Sequence, residues 1–177
     1  PLPKCFATLE DRLGQYDRVS LHNMALADTD SVEMMQLSSF SPSSSLMKMA
    51  PLHVSEFPFT DGGTEVEVQV TTLDQALSGV DLPRPILLKI DTQGSEHRVL
   101  SGGKSVLENT DVAILETSYE ALYEGQALFP KLYRTMLSSG FEFRGFLAAD
   151  IQACTRDLSL SQGVVQGLFV DEAAMEQ

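Results

Sequence analysis

Two short apolar runs, each closed by a carboxylate, constrain this chain most: Ile86-Leu87-Leu88-Lys89-Ile90-Asp91 and Val112-Ala113-Ile114-Leu115-Glu116. Near-continuous runs of this length fit strands buried on both faces of a parallel sheet, because a half-wet strand alternates instead. The closing carboxylates lie about 25 positions apart, room for the helical crossover that parallel neighbours need. Residues 95–100 and 104–107 supply the helical material, with Gly102-Gly103 between them. The expected class is α/β. In open α/β sheets ligands collect beyond the carboxyl ends of the strands, so Asp91 and Glu116 are expected to face one crevice. A carboxylate there can orient a ligand hydroxyl or amine, act as a base, or cap the following helix.

The remaining elements follow from periodicity. Phe6, Leu9 and Leu13 are spaced as one face of a short helix, and residues 18–22 place Val19 and Leu21 on one side of a strand. Residues 31–37 and 65–71 are further strands; the second alternates Val66, Val68 and Val70 with Glu65, Glu67 and Gln69, which suits an antiparallel pair with one wet face. A broad apolar stripe over 128–137 predicts a helix stopped by Gly140, followed by two last strands over 141–146 and 164–170. Between the first strands, residues 38–63 form a Ser/Pro/Gly-rich loop with an apolar knot at Leu46, Met47 and Met49. Such a loop is either a variable surface insertion or a lid over a ligand. Residues 1–177 read as a single domain.

Composition removes several function classes. The net charge of −13, without any run of Lys or Arg, repels phosphate backbones and anionic lipid and disfavours nucleic-acid and membrane-surface partners. Two cysteines without short spacing and three histidines offer no zinc cluster, and no metal is assigned. No apolar stretch approaches the roughly 18 residues of a membrane span and no leader pattern is visible, so a cytoplasmic location is expected. Gly102-Gly103-Lys104-Ser105 ends like a P-loop, but Arg98 occupies the position of the first glycine. Neither a G-x-G-x-x-G nor a G-x-S-x-G occurs.

The segment Asp91-Thr92-Gln93-Gly94-Ser95-Glu96 concentrates the chemistry. Gly94 permits a tight turn, Ser95 is placed to cap a helix, and Glu96 falls in its first turn, where a negative charge is favoured by the helix dipole. Glu96 is therefore as much a structural candidate as a catalytic one. Lys89 is set aside, on the reading that strand alternation turns it to the opposite face from Asp91.

Leu88-Lys89-Ile90-Asp91-Thr92-Gln93-Gly94-Ser95-Glu96, with Val99-Leu100 and Gly102 after it, resembles the FkbM family of methyltransferases, whose pattern there is close to L-K-I-D-x-[EQ]-G-x-E and V-L-x-G. Asn23, Ala25, Leu26 and Asp28, the Thr72-Leu73-Asp74 triplet, Glu116, Gly140-Phe141 and Gly167-Leu168-Phe169-Val170 are similar to further family positions in the same order. The resemblance covers roughly residues 18–170.

The resemblance implies a Rossmann-like class I methyltransferase sheet, mostly parallel with a final antiparallel strand pair. The family's glycine-rich D-x-G-x-N-x-G loop and its first two strands have no counterpart here and are expected before Pro1. It implies S-adenosylmethionine as methyl donor and O-methylation of a sugar or other small hydroxylated metabolite, the chain alone being inactive. By position, Asn23, Met24 and Ala25 are cofactor-binding candidates bordering the adenine, and Asp91 stands near the methionine end. Asp91 is the first catalytic candidate, with Glu116 and Glu96 behind it. The alternatives are a non-catalytic Rossmann-like binding domain and, more weakly, another Rossmann-like enzyme using a nucleotide. An uncovered sheet edge would lead to a homo-oligomer or be met by a further segment.

Overall fold

In a computed structural model, which describes residues 1–147 and 164–176, the two apolar runs are neighbouring strands as expected. The elements are α1 (Pro3–Leu13), β1 (Ala25–Ala27), β2 (Ser31–Gln36), α2 (Pro51–Glu56), β3 (Glu65–Thr72), α3 (Leu73–Ala76) and β4 (Leu87–Ile90). They continue with α4 (Glu96–Ser101), α5 (Lys104–Leu107), β5 (Val112–Ser118), α6 (Phe129–Ser138), β6 (Phe141–Phe146) and β7 (Val164–Asp171). Residues 18–22 are not a strand. Val19 is exposed there and no neighbouring strand offers a ladder, so two alternating apolar side chains have nothing to pair with. The first strand starts at Ala25, where the chain meets β3.

The strands form two sheets, one ordered β4-β5-β7-β6 and one ordered β1-β3-β2. The mostly parallel arrangement expected from the sequence is corrected here. Only β4–β5 and β1–β3 are parallel, while β5–β7, β6–β7 and β2–β3 run antiparallel. Two features cause this: the half-wet strands β2 and β3 pair with each other, and β7 inserts between β5 and β6. The final antiparallel pair is present.

Burial on both faces also needs correction. Ile90, Ala113, Leu115 and Thr117 are buried beneath α4, α5 and α6, whereas Leu87 on the other side of β4 is 62% exposed. Strand β4 is an outer strand of its sheet among the described residues, so the apolar run reflects one covered face rather than two. The covered face packs Leu100, Leu107, Leu132, Met136, Phe141 and Phe169 into one core. Leu132 and Met136 come from one stripe of α6, the i, i+4 spacing that predicted that helix.

Glycine and arginine join the two sheets. A Cβ on Gly102 would collide with the Ala27 carbonyl, so glycine lets the α4–α5 turn press against β1. Arg98 on α4 clamps Glu33 of β2 through Nη1 at 2.9 Å and Nη2 at 2.7 Å, and its Nε reaches Asp28 at 2.8 Å. Bidentate, charge-assisted bonds of this kind contribute more than ordinary surface pairs. Arg98→Met is expected to lower the unfolding free energy by about 2 kcal/mol, read as a shift in the urea midpoint.

Residues 38–63 are not a loose insertion. They hold 3-10 turns at Ser41–Ser43 and Pro58–Thr60 as well as α2. Ser38 and Ser39 donate to the carbonyls of Thr60 and Phe59 at 2.8 and 2.6 Å. Backbone amides of Ala50 and Glu124 cross to the carbonyls of Leu122 and Lys48, which fastens the segment to the loop after β5.

Candidate functional site

The register of the parallel pair builds the site. Ile90 lies opposite Leu115, so Asp91 and Glu116, one position further, stand opposite each other where the strands end. The chain then turns through Gln93 at φ 55° and Gly94 at φ 100°, both left-handed. Such a conformation is costly for glutamine and is typical of functional sites whose surroundings enforce it. Its use is visible in the side chain. Gln93 Nε2 donates to Asp91 Oδ1 at 2.9 Å and to Glu116 Oε2 at 2.7 Å, while Gln93 Oε1 accepts the Tyr123 hydroxyl at 3.0 Å. Ser45 Oγ holds the Gln93 carbonyl at 2.7 Å, so the 38–63 segment fixes this turn.

Lys89 belongs to the cluster, contrary to the sequence reading. Residues two apart on a strand share a face, and Lys89 Nζ lies 3.0 Å from Asp91 Oδ2. Burial works against charge on Asp91, but the bonds from Lys89 and Gln93 outweigh it and hold the carboxyl below its usual range. Glu116 goes the other way. Burial, then the neighbouring charges of Asp91 and Glu96, push it up to about 8, and it hydrogen-bonds Asp91 through its retained proton. The pair therefore holds one proton at neutral pH.

That proton links stability to pH. Between the ordinary glutamate value of 4.5 and about 8, the folded state keeps a proton that the unfolded state releases. Folded Glu116 thus binds more protons in that window, and stability falls as pH rises through it, levelling above about 8. Glu116→Gln is expected to flatten that slope, which denaturation curves at pH 5, 7 and 9 would read.

Glu96 is 1% exposed, and its Oε1 accepts from Thr92 N, Thr92 Oγ1 and Gly94 N at 2.9, 3.2 and 3.1 Å. Desolvation raises its pKa. With these bonds turned back into its own loop, it acts as a brace for the Gln93 turn and does not line the crevice. Ser95 does not cap α4 with its side chain; its hydroxyl donates to the Thr92 carbonyl at 3.1 Å.

Two cavities meet at Gln93. One of about 270 Å³ has Met24, Ala25, Leu26, Met35 and Leu46 on its apolar side, and Asp91, Thr92, Gln93 and Ser95 on its polar side. The other, about 190 Å³, is walled by Phe40, Phe57, Phe59 and Tyr123 and reaches Glu116, Gln93 and His53. Met24, Ala25 and Asp91 thus converge on one cavity. Asn23 is exposed and not part of its lining. Sequence reasoning missed Gln93, Tyr123 and His53. Gln93 lay inside the quoted motif, but nothing in the sequence marks the other two. Among the described residues no group of three His, Cys, Asp or Glu side chains is arranged to hold a metal ion, and no helix is long and apolar enough to cross a membrane.

Comparison with known proteins agrees with this architecture. The family described as Methyltransferase FkbM domain matches residues 1–143. A relative, the 2-O-methyltransferase NoeI of Sinorhizobium fredii (strain NBRC 101917 / NGR234), is 28% identical over 137 residues, covering 71% of this chain and 54% of NoeI. The chain therefore spans about half the length of that curated relative. No solved structure matches the chain. The family match extends from the first helix to the last antiparallel strand pair and includes the whole carboxylate cluster, and on that ground the chain belongs to the FkbM methyltransferase family.

Proposed function

We propose that this chain forms the carboxylate-bearing part of an S-adenosylmethionine-dependent methyltransferase that methylates a hydroxyl oxygen of a sugar or other small hydroxylated metabolite. One observation carries the reading: Asp91, Gln93 and Glu116 form a proton-holding cluster at the junction of two cavities. Family membership and the printed activity of NoeI support it. The β4-β5-β7-β6 order, with its parallel start and antiparallel end, supports a Rossmann-like sheet.

The residues present fit the donor in part. The apolar wall of Met24, Ala25 and Met35 suits a flat base, and Asp91, Thr92 and Ser95 offer polar partners to an amino-acid or ribose end. At about 270 Å³ the cavity is smaller than the roughly 300–1,000 Å³ typical of sites that enclose a whole drug-sized ligand, so it accounts for a portion of the molecule. When bound, the donor supplies an electrophilic methyl group.

The chain's own residues handle the acceptor. A hydroxyl seated between Asp91 and Glu116 is oriented by the carboxylates and gives up its proton as the oxygen takes the methyl. Lys89 and Gln93 keep Asp91 charged, and that charge in turn keeps Glu116 a base matched to mildly alkaline pH. Phe40, Phe57 and Phe59 exclude water from that side. Turnover is expected to rise with pH up to about 8 as the pair loses its shared proton. A flat rate profile from pH 6 to 9, with the protein folded throughout, would count against the assignment.

Two further expectations belong to this reading. The free edge of β4, beside exposed Leu87, favours pairing of two copies, and Leu87→Lys is expected to lower the mass seen by light scattering. The acceptor is a small molecule met in the cytoplasm, in keeping with the acidic surface.

A further inference from the structure

The acceptor side of the crevice contains a polar atom that the fold leaves unused. His53, on α2, is 3% exposed, and its Nδ1 is buried without a hydrogen-bond partner. Leaving a buried polar atom unpaired is unfavourable, so such an atom at a cavity wall marks a place where a ligand completes the bonding. The ring itself is held firmly. Its edge packs on Phe57 at 5.4 Å and on Tyr123 at 5.0 Å between centroids, and the Leu122 carbonyl bonds the imidazole. With the proton committed to that carbonyl, Nδ1 presents a lone pair and accepts only from a donor. Burial also lowers the pKa of His53, which keeps that lone pair free at neutral pH.

The cavity lined by His53 is about 190 Å³. An apolar cavity of about 150 Å³ holds one benzene molecule, so this one takes a single six-membered ring with small substituents. The polar groups stand at separate places on its wall: Gln93 and Glu116 on one strand end, His53 on α2, and Ser118 and Gln126 beyond β5. A ring with one hydroxyl would satisfy one of these and leave the rest unpaired.

We propose that this cavity accepts one saturated six-membered ring carrying several hydroxyls, as in a monosaccharide or cyclitol unit. In that pose one hydroxyl meets the Asp91–Glu116 pair and another donates to His53 Nδ1. His53 is then a specificity-determining residue: it selects the ring and its orientation without touching the reacting oxygen. The inference rests on the O-methyltransferase reading for its choice of the reacting hydroxyl, but the cavity and its orphan nitrogen stand apart from the donor site. A site built around a substrate hydroxyl discriminates strongly against the analogue lacking it, because its own polar atom is stranded.

The test uses the full-length protein and three probes: myo-inositol, with a hydroxyl on every carbon, cyclohexanol, with one, and catechol, a planar diol. In the wild type, myo-inositol is expected to shift the Nδ1 resonance of His53 in nitrogen-15 NMR and to bind about fivefold more tightly than cyclohexanol, the scale of one net hydrogen bond. His53→Phe keeps the ring contacts and should abolish that preference. His53→Asn places an amide oxygen one bond beyond Cγ, where Nδ1 stood, and should restore part of it. Equal binding of myo-inositol and cyclohexanol, or an unmoved Nδ1 resonance at saturation, would overturn the proposal without needing any variant to fold. Tighter binding of catechol would overturn the saturated-ring class. S-adenosylhomocysteine is titrated into the same samples. If it fails to bind while the myo-inositol preference holds, the methyltransferase reading falls and the pocket stands; the reverse pattern removes the pocket alone.

Discussion

Asp91→Asn is expected to lower methyl-transfer turnover by about 10²-fold or more, the usual contribution of a positioned acid–base group. The substitution removes an acceptor for the substrate hydroxyl and also the charge that raises Glu116. Asparagine keeps the shape and can still bond Gln93, so the loss would fall on chemistry rather than on folding. A second signature separates this from simple damage. Without the Asp91 charge and hydrogen bond, two of the causes that hold Glu116 near 8 disappear, so the acid limb of the rate profile should move to lower pH. Steady-state rates of wild type and variant from pH 5.5 to 9 give both readouts. Unchanged turnover with a good acceptor would remove Asp91 from the reaction. A large drop with an unmoved acid limb would mean that Glu116 does not supply the titrating group.

Phe169→Ala is expected to cost about 4 kcal/mol of folding free energy, the middle of the range for emptying a buried aromatic site. Phe169 is 0% exposed on β7, opposite Ala113 of β5, with its ring 5.2 Å from that of Phe143. A central strand flanked by β5 and β6 cannot close over such a gap without shifting both neighbours. Against a total stability of about 5–15 kcal/mol, a loss of that size leaves a marginal protein. Urea denaturation of wild type and variant measures it. A loss below about 1 kcal/mol would mean that β7 does not anchor the sheet.

The sequence showed some of this clearly and some of it not at all. The paired runs ending at Asp91 and Glu116 announced two parallel neighbours because burial of one shared face imposes apolar content, and the structure places those carboxylates opposite one another. The stripe of α6 and the alternation of β2 and β3 were equally legible, since each period repeats over several residues. Strand order was not, because it depends on which edges meet and leaves no periodic trace. That is why β7 between β5 and β6, and the separate β1-β3-β2 sheet, came only from the structure. Residues 18–22 failed for a related reason: five residues can alternate by chance, and a strand needs a partner. In the site, Gln93 was hidden in plain view, its role depending on a left-handed backbone that the sequence suggested only for Gly94. His53 and Tyr123 are 70 positions apart, at 5.0 Å between rings, and long-range juxtaposition of that kind is invisible to motif reading. Lys89 was misplaced by an error in applying the two-residue period, which the 3.0 Å contact with Asp91 exposes.

The most direct test is carbon-13 methyl NMR of methionine-labelled full-length protein during titration with S-adenosylmethionine. Met24 and Met35 line the cavity assigned to part of the donor, while Met136 is buried in the core beneath the sheet. The account predicts saturable shifts at Met24 and Met35, with Met136 little changed. Absence of any shift in a folded protein, or saturation that moves other methionines and leaves Met24 and Met35 in place, would contradict the assignment of this crevice to the donor.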